Sequence, residues 1–189
     1  MMEILCTLDL MSNTMNKKSL QELTTRSTSQ VIIWFESHPT EKFENIPGSK
    51  NWSTGQHLLH LIKLYKGINI ALSTNKLLLR FKFGVRKKPE LSYEQMKSDF
   101  ETNYSNQKFE SPDNVLPGPV SVLDRRKLIT KLERESDLMN QQVEQLSEKS
   151  LSKYVLPHPY LGKLSLREFV MFNALHNQHH LNTLDAYYL

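Results

Sequence analysis

Several residue types are scarce in this sequence, and each scarcity excludes a class of protein. The 189 residues include a single cysteine, Cys6, which cannot form an intrachain disulfide and suits a reducing cytoplasm. There are six glycines, and none forms a glycine-rich phosphate loop or a G-x-S-x-G nucleophile elbow. No segment approaches the length of a membrane span. We therefore expect a cytoplasmic protein that is not a kinase, a nucleotidase or a G-x-S-x-G esterase.

The overall composition is that of an ordinary globular protein. Hydrophobic residues make up 39% of the chain and charged residues 23%, and the formal net charge of +4 is modest. The opening segment MMEILCTLDLM lacks the basic flank of a signal peptide. We expect residues 1–15 to form a loosely ordered extension and residues 16–189 to form one domain.

Apolar residues recur at helical spacing rather than in alternation, which predicts an all-α protein. Four long helices are expected, and the first covers about residues 17–37. The second begins at a capping box of Ser53 and Gln56, in which each side chain bonds to the backbone N–H of the other residue. The last begins at a second such box, formed by Ser165 and Glu168, and continues to the end of the chain.

The third long helix lies in SVLDRRKLITKLERESDLMNQQVEQLSEK and is separated from the second by a long crossover. The pair Ser92 and Gln95 predicts a short extra helix within this crossover. A long connection permits the second and third helices to run parallel, whereas short links favour antiparallel neighbours. We therefore predict a four-helix bundle of up-down-down-up order.

Three histidines lie close together in the stretch HNQHH of the last helix. His176 and His180 are four positions apart, so both imidazoles share one helical face and can reach one ion. His60 lies roughly 10 Å from the start of the second helix and reaches their level only if the two helices are antiparallel. The predicted order meets this condition. Three neutral imidazoles would leave a coordination position for water or substrate, as catalytic metal sites do.

The alternative for each of these histidines is a purely structural role, since a histidine at helical spacing is usually packed or solvated. His57 illustrates that alternative. It follows the helix cap by four positions, where a residue normally packs against the one before the cap, here Trp52. We therefore assign His57 to packing and His60 to the metal.

The stretches NWSTGQHLLHL and HPYLGKLSLREFVMFNALHNQHHLNTL resemble the DinB/YfiT-like superfamily of metalloenzymes. The resemblance extends over most of the chain, and its most specific element is the H-x-x-x-H of the last helix with the HPxxGxLxxxE sequence before it. It implies a four-helix bundle of the connectivity given above. It also implies that His60, His176 and His180 ligate a divalent ion, with Zn²⁺ and Ni²⁺ as the leading candidates.

The same resemblance implies a metal-dependent enzyme with a small-molecule substrate, in a family whose members are often homodimers. Family members of known activity include transferases that conjugate bacillithiol or a similar low-molecular-weight thiol to electrophiles. Many others are described as metal-dependent hydrolases. We therefore expect thiol transfer or hydrolysis. The alternative is a non-catalytic metal-binding bundle or interaction protein, which the lack of an obvious general base favours.

Three residues are candidates for catalysis beside the metal. Glu135 interrupts the apolar stripe of the third helix at mid-bundle depth, although the solvated flank of that helix is the simpler location. His158 lies in a Pro-His-Pro turn, where it either closes over the pocket or is exposed. His179 is offset from the ligand pair, and we expect it to be solvated or hydrogen-bonded to a ligand.

Basic residues alternate with two phenylalanines in NKLLLRFKFGVRKKPE, between positions 76 and 88. Such a pattern can bind nucleic acid or attract an anionic thiol or substrate. Its commonest form is a solvated loop with both phenylalanines buried, and acidic residues that follow it offset the charge. We therefore do not expect nucleic acid or a membrane as a partner.

Overall fold

The computed structural model describes residues 14–46, 52–106 and 113–188. Within these residues the chain forms seven α-helices, a two-stranded antiparallel sheet and two short 3-10 turns. The prediction of a mainly helical protein is confirmed. The elements are α1 (Lys17–Ser37), α2 (Thr54–Ser73), α3 (Lys76–Phe83), α4 (Tyr93–Asn106), α5 (Arg125–Gln145), α6 (Glu148–Lys153), β1 (Val155–His158), β2 (Gly162–Ser165) and α7 (Leu166–Tyr188).

The helix starts follow the capping patterns of the sequence. The Ser53 side chain accepts from the Gln56 N–H, and the Gln56 side chain accepts from the Ser53 N–H. Ser165 and Glu168 make the same reciprocal bonds at the start of α7, and an equivalent pair precedes α4. These bonds satisfy backbone donors that the first helical turn leaves unpaired. The predicted capping boxes are confirmed.

The long helices α1 and α2 each pack against both α5 and α7. Contacts between α2 and α7 give the relative direction of those two helices. His57, near the start of α2, contacts Tyr188 at the end of α7, while the deeper His60 contacts the earlier His176. The helices α2 and α7 are therefore antiparallel. The buried apolar cluster includes Leu20, Leu61, Leu132, Met139, Val170 and Leu184.

The segment between positions 76 and 88 differs from its prediction as a loop. Residues 76–83 form α3, in which Phe81 is 91% exposed while Phe83 packs against the core. The expectation of two buried phenylalanines is wrong, because residues two apart on a helix point about 200° away from each other. Only one of the two rings can therefore face the protein.

A β-hairpin between α6 and α7 was also not predicted. Its strands pair from Val155 with Ser165 to His158 with Gly162. Gly162 has a φ of 72°, a conformation that glycine adopts without steric cost. The hairpin places His158 on a strand end rather than in an irregular loop.

Buried charges attach the residues that follow α3 to the start of α7. Glu168 is fully buried, accepts from the Leu91 N–H at 2.8 Å and forms an ion pair with Arg86. Arg167, also buried, donates to the Glu90 carboxylate at 3.2 Å. Buried ions are tolerated when each is paired and hydrogen-bonded, as these are.

Residues 1–13 of the predicted extension lie outside the described residues. The division into an extension over 1–15 and a domain over 16–189 stays a prediction. Among the described helices, none combines the length and apolar character needed to cross a bilayer.

Candidate metal centre

Three histidine side chains from two helices meet inside the helical core. The Nε2 atom of His60, on α2, lies 2.9 Å from Nε2 of His176, on α7. The Nε2 atom of His180 lies 3.0 Å from that same His176 nitrogen. One nitrogen of each ring falls within 4.8 Å of the others, and all three residues are buried. The structure thus brings together the three histidines singled out in the sequence, in a cluster that could bind a metal ion.

Burial keeps these imidazoles neutral at pH 7. It lowers the pKa of His60 and lowers the pKa values of His176 and His180 well below their usual range, with neighbouring histidines adding to the effect in the last two. Burial, assisted by His60, also lowers the pKa of His57 to about 3. A neutral imidazole has one N–H and one lone pair, so its partners decide which nitrogen can bind a metal.

The tautomer of His60 follows from its contact with a backbone carbonyl. Its Nδ1 lies 2.8 Å from the Val115 carbonyl oxygen. A carbonyl oxygen can only accept, so Nδ1 carries the hydrogen and donates it. The His60 Nε2 therefore presents a lone pair toward His176, as in metal-binding histidines whose other nitrogen is fixed by a protein acceptor.

A chain of three hydrogen bonds fixes the tautomer of His180. The Tyr188 hydroxyl donates to the Trp52 carbonyl oxygen at 2.5 Å, so it accepts from His57 Nε2, which lies 3.3 Å away. The His57 Nδ1 is then a lone pair and accepts from His180 Nδ1 at 2.8 Å. The remaining nitrogen of His180, Nε2, is left as a lone pair that faces the other two rings.

These two lone pairs meet at His176, whose own hydrogen bonding is incomplete. A hydrogen on its Nε2 can satisfy only one of the two neighbouring nitrogens, and a hydrogen on Nδ1 leaves three lone pairs facing one another. The His176 Nδ1 is also buried with no partner among the described residues. A divalent cation held by the three Nε2 atoms would remove the conflict, because each lone pair would become a ligand. The donor set therefore fits Zn²⁺, Ni²⁺ or a similar ion.

The indole ring of Trp52 covers this cluster. Its centroid lies 4.8 Å from that of His60 and 6.1 Å from that of His180, to which it is nearly parallel. The predicted packing of His57 on Trp52 is confirmed, with ring centroids 5.3 Å apart in an edge-to-face arrangement. These contacts restrict the orientations available to the imidazoles of His57, His60 and His180.

A cavity of about 360 Å³ adjoins His60 and His176. Its volume lies in the range of small-molecule sites, about 300–1,000 Å³. Within the described part of the chain, no Asp, Glu, Lys or Arg lines it. Gly67 of α2 forms part of its wall, and a Cβ built there meets no described atom within 4 Å. The apolar lining includes Leu64, Ile68, Ala71, Phe83, Leu156, Phe169 and Phe172.

His158 lines the same cavity from the end of β1. Its ring centroid lies 4.4 Å from Phe172, which in turn lies 5.4 Å from His176. Its Nδ1 accepts from the N–H groups of Tyr160 and Leu161 at 3.3 and 3.1 Å, and burial lowers its pKa to about 4. The sequence left two alternatives for His158, a position over the pocket and exposure in a turn. The structure has the position beside the pocket.

The other two catalytic candidates differ in position. Glu135 accepts from the Asn69 side chain at 2.9 Å and lies 4.0 Å from the Lys66 ammonium, and it does not line the cavity. The structure therefore does not bring Glu135 to the histidines. The ring of His179 lies 5.3 Å from that of His180, and burial lowers the pKa of His179 to about 4, but it is not one of the three convergent ligands.

The sequence did not predict that His57 and Tyr188 fix the tautomer of His180. The spacing of His57 and His60, three apart on one helical face, was the available signal for His57. Tyr188 gave no signal, because its contact with His57 joins residues 131 positions apart.

Comparison with known families agrees with this geometry. The model of the DinB superfamily matches residues 23–184, which covers most of the chain and contains His60, His176 and His180. The chain therefore belongs to the DinB superfamily, as its two histidine-bearing stretches suggested. A search of curated proteins found no match.

Proposed function

We propose that this protein is a metal-dependent enzyme that transfers a low-molecular-weight thiol to an electrophile or hydrolyses a small substrate. The observation that carries the proposal is the convergence of three imidazole nitrogens, on His60, His176 and His180, beside a cavity of substrate size. A site that only buffers metal has no need of such a cavity. This favours catalysis over the non-catalytic alternative.

The surrounding residues prepare the three histidines for an ion. The Val115 carbonyl and His57 hold the Nδ1 hydrogens of His60 and His180, so that both Nε2 lone pairs point inward. Trp52 packs against His60, and the wall of the adjoining cavity is mainly apolar. When bound, a divalent ion supplies a Lewis acid that lowers the pKa of a coordinated water or thiol.

A thiol co-substrate would approach from the basic segment after α3. Residues Arg86, Lys87, Lys88 and Lys163 line a second depression, and Phe83 lines both this depression and the cavity. Arg86 is paired with Glu168, and Lys163 donates to the Phe83 carbonyl. Lys87 and Lys88 are then the cations that would attract an anionic thiol, although Asp99 also lines the depression. The uncharged cavity would then hold the electrophile.

We also propose the up-down-down-up order for the four long helices α1, α2, α5 and α7. Near the ends of α1 and α7, Trp34 donates to Asp185 at 2.7 Å, which supports a parallel pair. Near the start of α2, Gln56 donates to the Gly118 carbonyl shortly before α5, which supports a second parallel pair. A cytoplasmic location and a homodimer stay predictions.

Elemental analysis tests the metal assignment. For protein purified without a histidine tag, we expect a stoichiometric divalent ion in the wild type and its loss in His60→Ala and His176→Ala. His179→Ala is the matched control, since it removes a neighbouring imidazole outside the convergent group and should retain the ion. Unchanged metal content in the first two variants would contradict the ligand assignment.

A turnover assay tests catalysis separately. Metal-loaded protein is incubated with bacillithiol and monochlorobimane, and conjugation is followed by fluorescence. We expect turnover in the wild type and none in His176→Ala. Bound metal without turnover of this electrophile or of simple ester and amide substrates would support the non-catalytic alternative.

A further inference from the structure

We infer that His158 is a fixed hydrogen-bond donor of the cavity, and that the cavity takes a small, uncharged, mainly apolar molecule with one hydrogen-bond acceptor. This inference rests on the proposed function and specifies the substrate class of that site. The acceptor atom of the ligand would lie between His158 and the histidine cluster.

The donor role follows from the neighbours of His158. Two backbone N–H groups, of Tyr160 and Leu161, point at its Nδ1 at 3.3 and 3.1 Å. Both are donors, so Nδ1 must be the lone pair and Nε2 must carry the hydrogen of the neutral ring. The hairpin turn thus fixes one tautomer. Because Nδ1 faces the turn, the edge that His158 contributes to the cavity is the one with Nε2–H.

That N–H has no acceptor among the described residues, because the hydrogen bonds of His158 are those of its Nδ1. A donor held in a mainly apolar wall is stabilised when a ligand supplies an acceptor. Small-molecule sites commonly combine an apolar lining with a few such placed polar groups. This N–H, which has no acceptor among the described residues, is therefore a recognition element for an acceptor on the ligand.

The charge of the ligand is limited by the lining. No Asp, Glu, Lys or Arg side chain among the described residues borders the cavity, and the histidines that line it are neutral. A full charge placed there would lose its hydration without gaining a partner, which is strongly unfavourable. The walls instead present side chains such as Leu64, Ile68 and Phe169, which favour an apolar body of the ligand.

One ligand can contact both His158 and the histidine cluster. The ring of Phe172 lies between them, with centroids 4.4 Å from His158 and 5.4 Å from His176. All three residues line the same cavity. A molecule of a single aromatic ring in size, lying across Phe172, would place its acceptor within reach of both ends.

The tautomer can be measured directly in the wild-type chain. A long-range proton–nitrogen NMR spectrum of the histidine rings distinguishes a protonated Nε2 from a protonated Nδ1. We expect Nε2–H at His158 at pH 7. A protonated Nδ1 would overturn the inference. This measurement needs no substituted protein.

Binding of three probes tests the substrate class, by fluorine NMR on the full chain with and without Zn²⁺. The probes are para-fluoroacetophenone, which has an acceptor, fluorobenzene, which lacks one, and para-fluorobenzoate, which is charged. We expect the ketone to bind best in both forms of the protein. In the metal-free protein, where no ion can bind the carboxylate, we expect para-fluorobenzoate to bind weakest.

The variants His158→Phe and His158→Leu remove the donor and keep a side chain in the wall. We expect each to weaken binding of the ketone about fivefold and to leave fluorobenzene unchanged, which also confirms an intact cavity. Equal losses for both probes, or tight binding of the benzoate to metal-free protein, would overturn the inference. Failure of the chain to bind Zn²⁺ would instead defeat the proposed function, because the comparison in metal-free protein does not depend on the ion.

Discussion

The two ends of α7 both bury polar side chains, but they satisfy them in different ways. At its start, Glu168 and Arg167 are charged, and each has an oppositely charged partner and further hydrogen bonds. Toward its end, His176 and His180 are neutral, and their nitrogens face one another. At the first end each charge has its partners within the protein. At the second, lone pairs oppose one another and the buried Nδ1 of His176 has no partner among the described residues.

This difference separates a structural site from a functional one. Buried polar groups that are fully paired stabilise one arrangement of the chain. Buried groups without partners are uncommon and point to a bound ion, a ligand or a chemical role. Substitutions at the start of α7 should therefore affect folding, and substitutions at its end should affect metal binding.

The largest effect is expected for Glu168→Ala. The substitution leaves the Arg86 guanidinium, whose side chain is only 12% exposed, without its carboxylate. It also removes the acceptor of the Leu91 N–H, so the free energy of unfolding should fall by about 3–5 kcal/mol. Denaturant titration measures this loss. The matched control is Glu144→Ala, which removes an exposed ion pair with Lys17 and should cost less than about 1 kcal/mol. Equal losses in both variants would contradict the structural role of Glu168.

The second-largest effect is expected from acidification, which should lower the free energy of unfolding through the buried histidines. Burial lowers the pKa values of His57, His158 and His179 to about 3, 4 and 4 in the folded chain, against about 6.5 when unfolded. Between these values the unfolded state binds more protons, so stability decreases as the pH falls below about 6.5. We expect the Tm of metal-free protein to drop by several degrees from pH 7.5 to 5.5. A Tm that is constant or rises over this range would show that the histidines are not buried as neutral groups.

The smallest of the three effects is expected when the hydrogen bonds that fix the tautomer of His180 are removed. Tyr188→Phe removes the hydroxyl that fixes the tautomer of His57, and His57→Phe removes the acceptor of the His180 Nδ1 hydrogen. Loss of such partners typically lowers metal affinity about 10- to 100-fold, which chelator competition can measure. Tyr187→Phe, at an exposed neighbouring position, should leave the affinity unchanged. Wild-type affinity in both His57→Phe and Tyr188→Phe would mean that packing alone orients His180.

Local patterns accounted for most of the fold. The helix starts at Ser53 and Ser165 depend on residues three positions apart, so the sequence contained the whole of each interaction. The long apolar stripes likewise predicted the four long helices. The hairpin before α7 was missed because its pairing joins short segments that include a proline and carry no alternating apolar pattern.

The sequence predicted the three candidate metal ligands but not the residues whose hydrogen bonds orient them. His176 and His180 share a helical face by spacing alone, and matching depth selected His60 as their partner. The roles of His57 and Tyr188 depend on ring orientations across two helices, which spacing does not determine. Glu135 was a candidate for its depth along α5, with the solvated flank as the simpler location, and its carboxylate accepts from Asn69. Depth along a helix therefore says little about where a side chain is directed.

Gly67 has a consequence for the range of molecules that this protein can accept. Glycine within a helix costs about 1 kcal/mol relative to alanine, and here no close neighbour requires it. A methyl or larger group at this position would extend into the cavity and leave the helix packing intact. Exchange of this one residue for alanine or a larger side chain would shorten the permitted substrate, and exchange for alanine would also make the helix more stable.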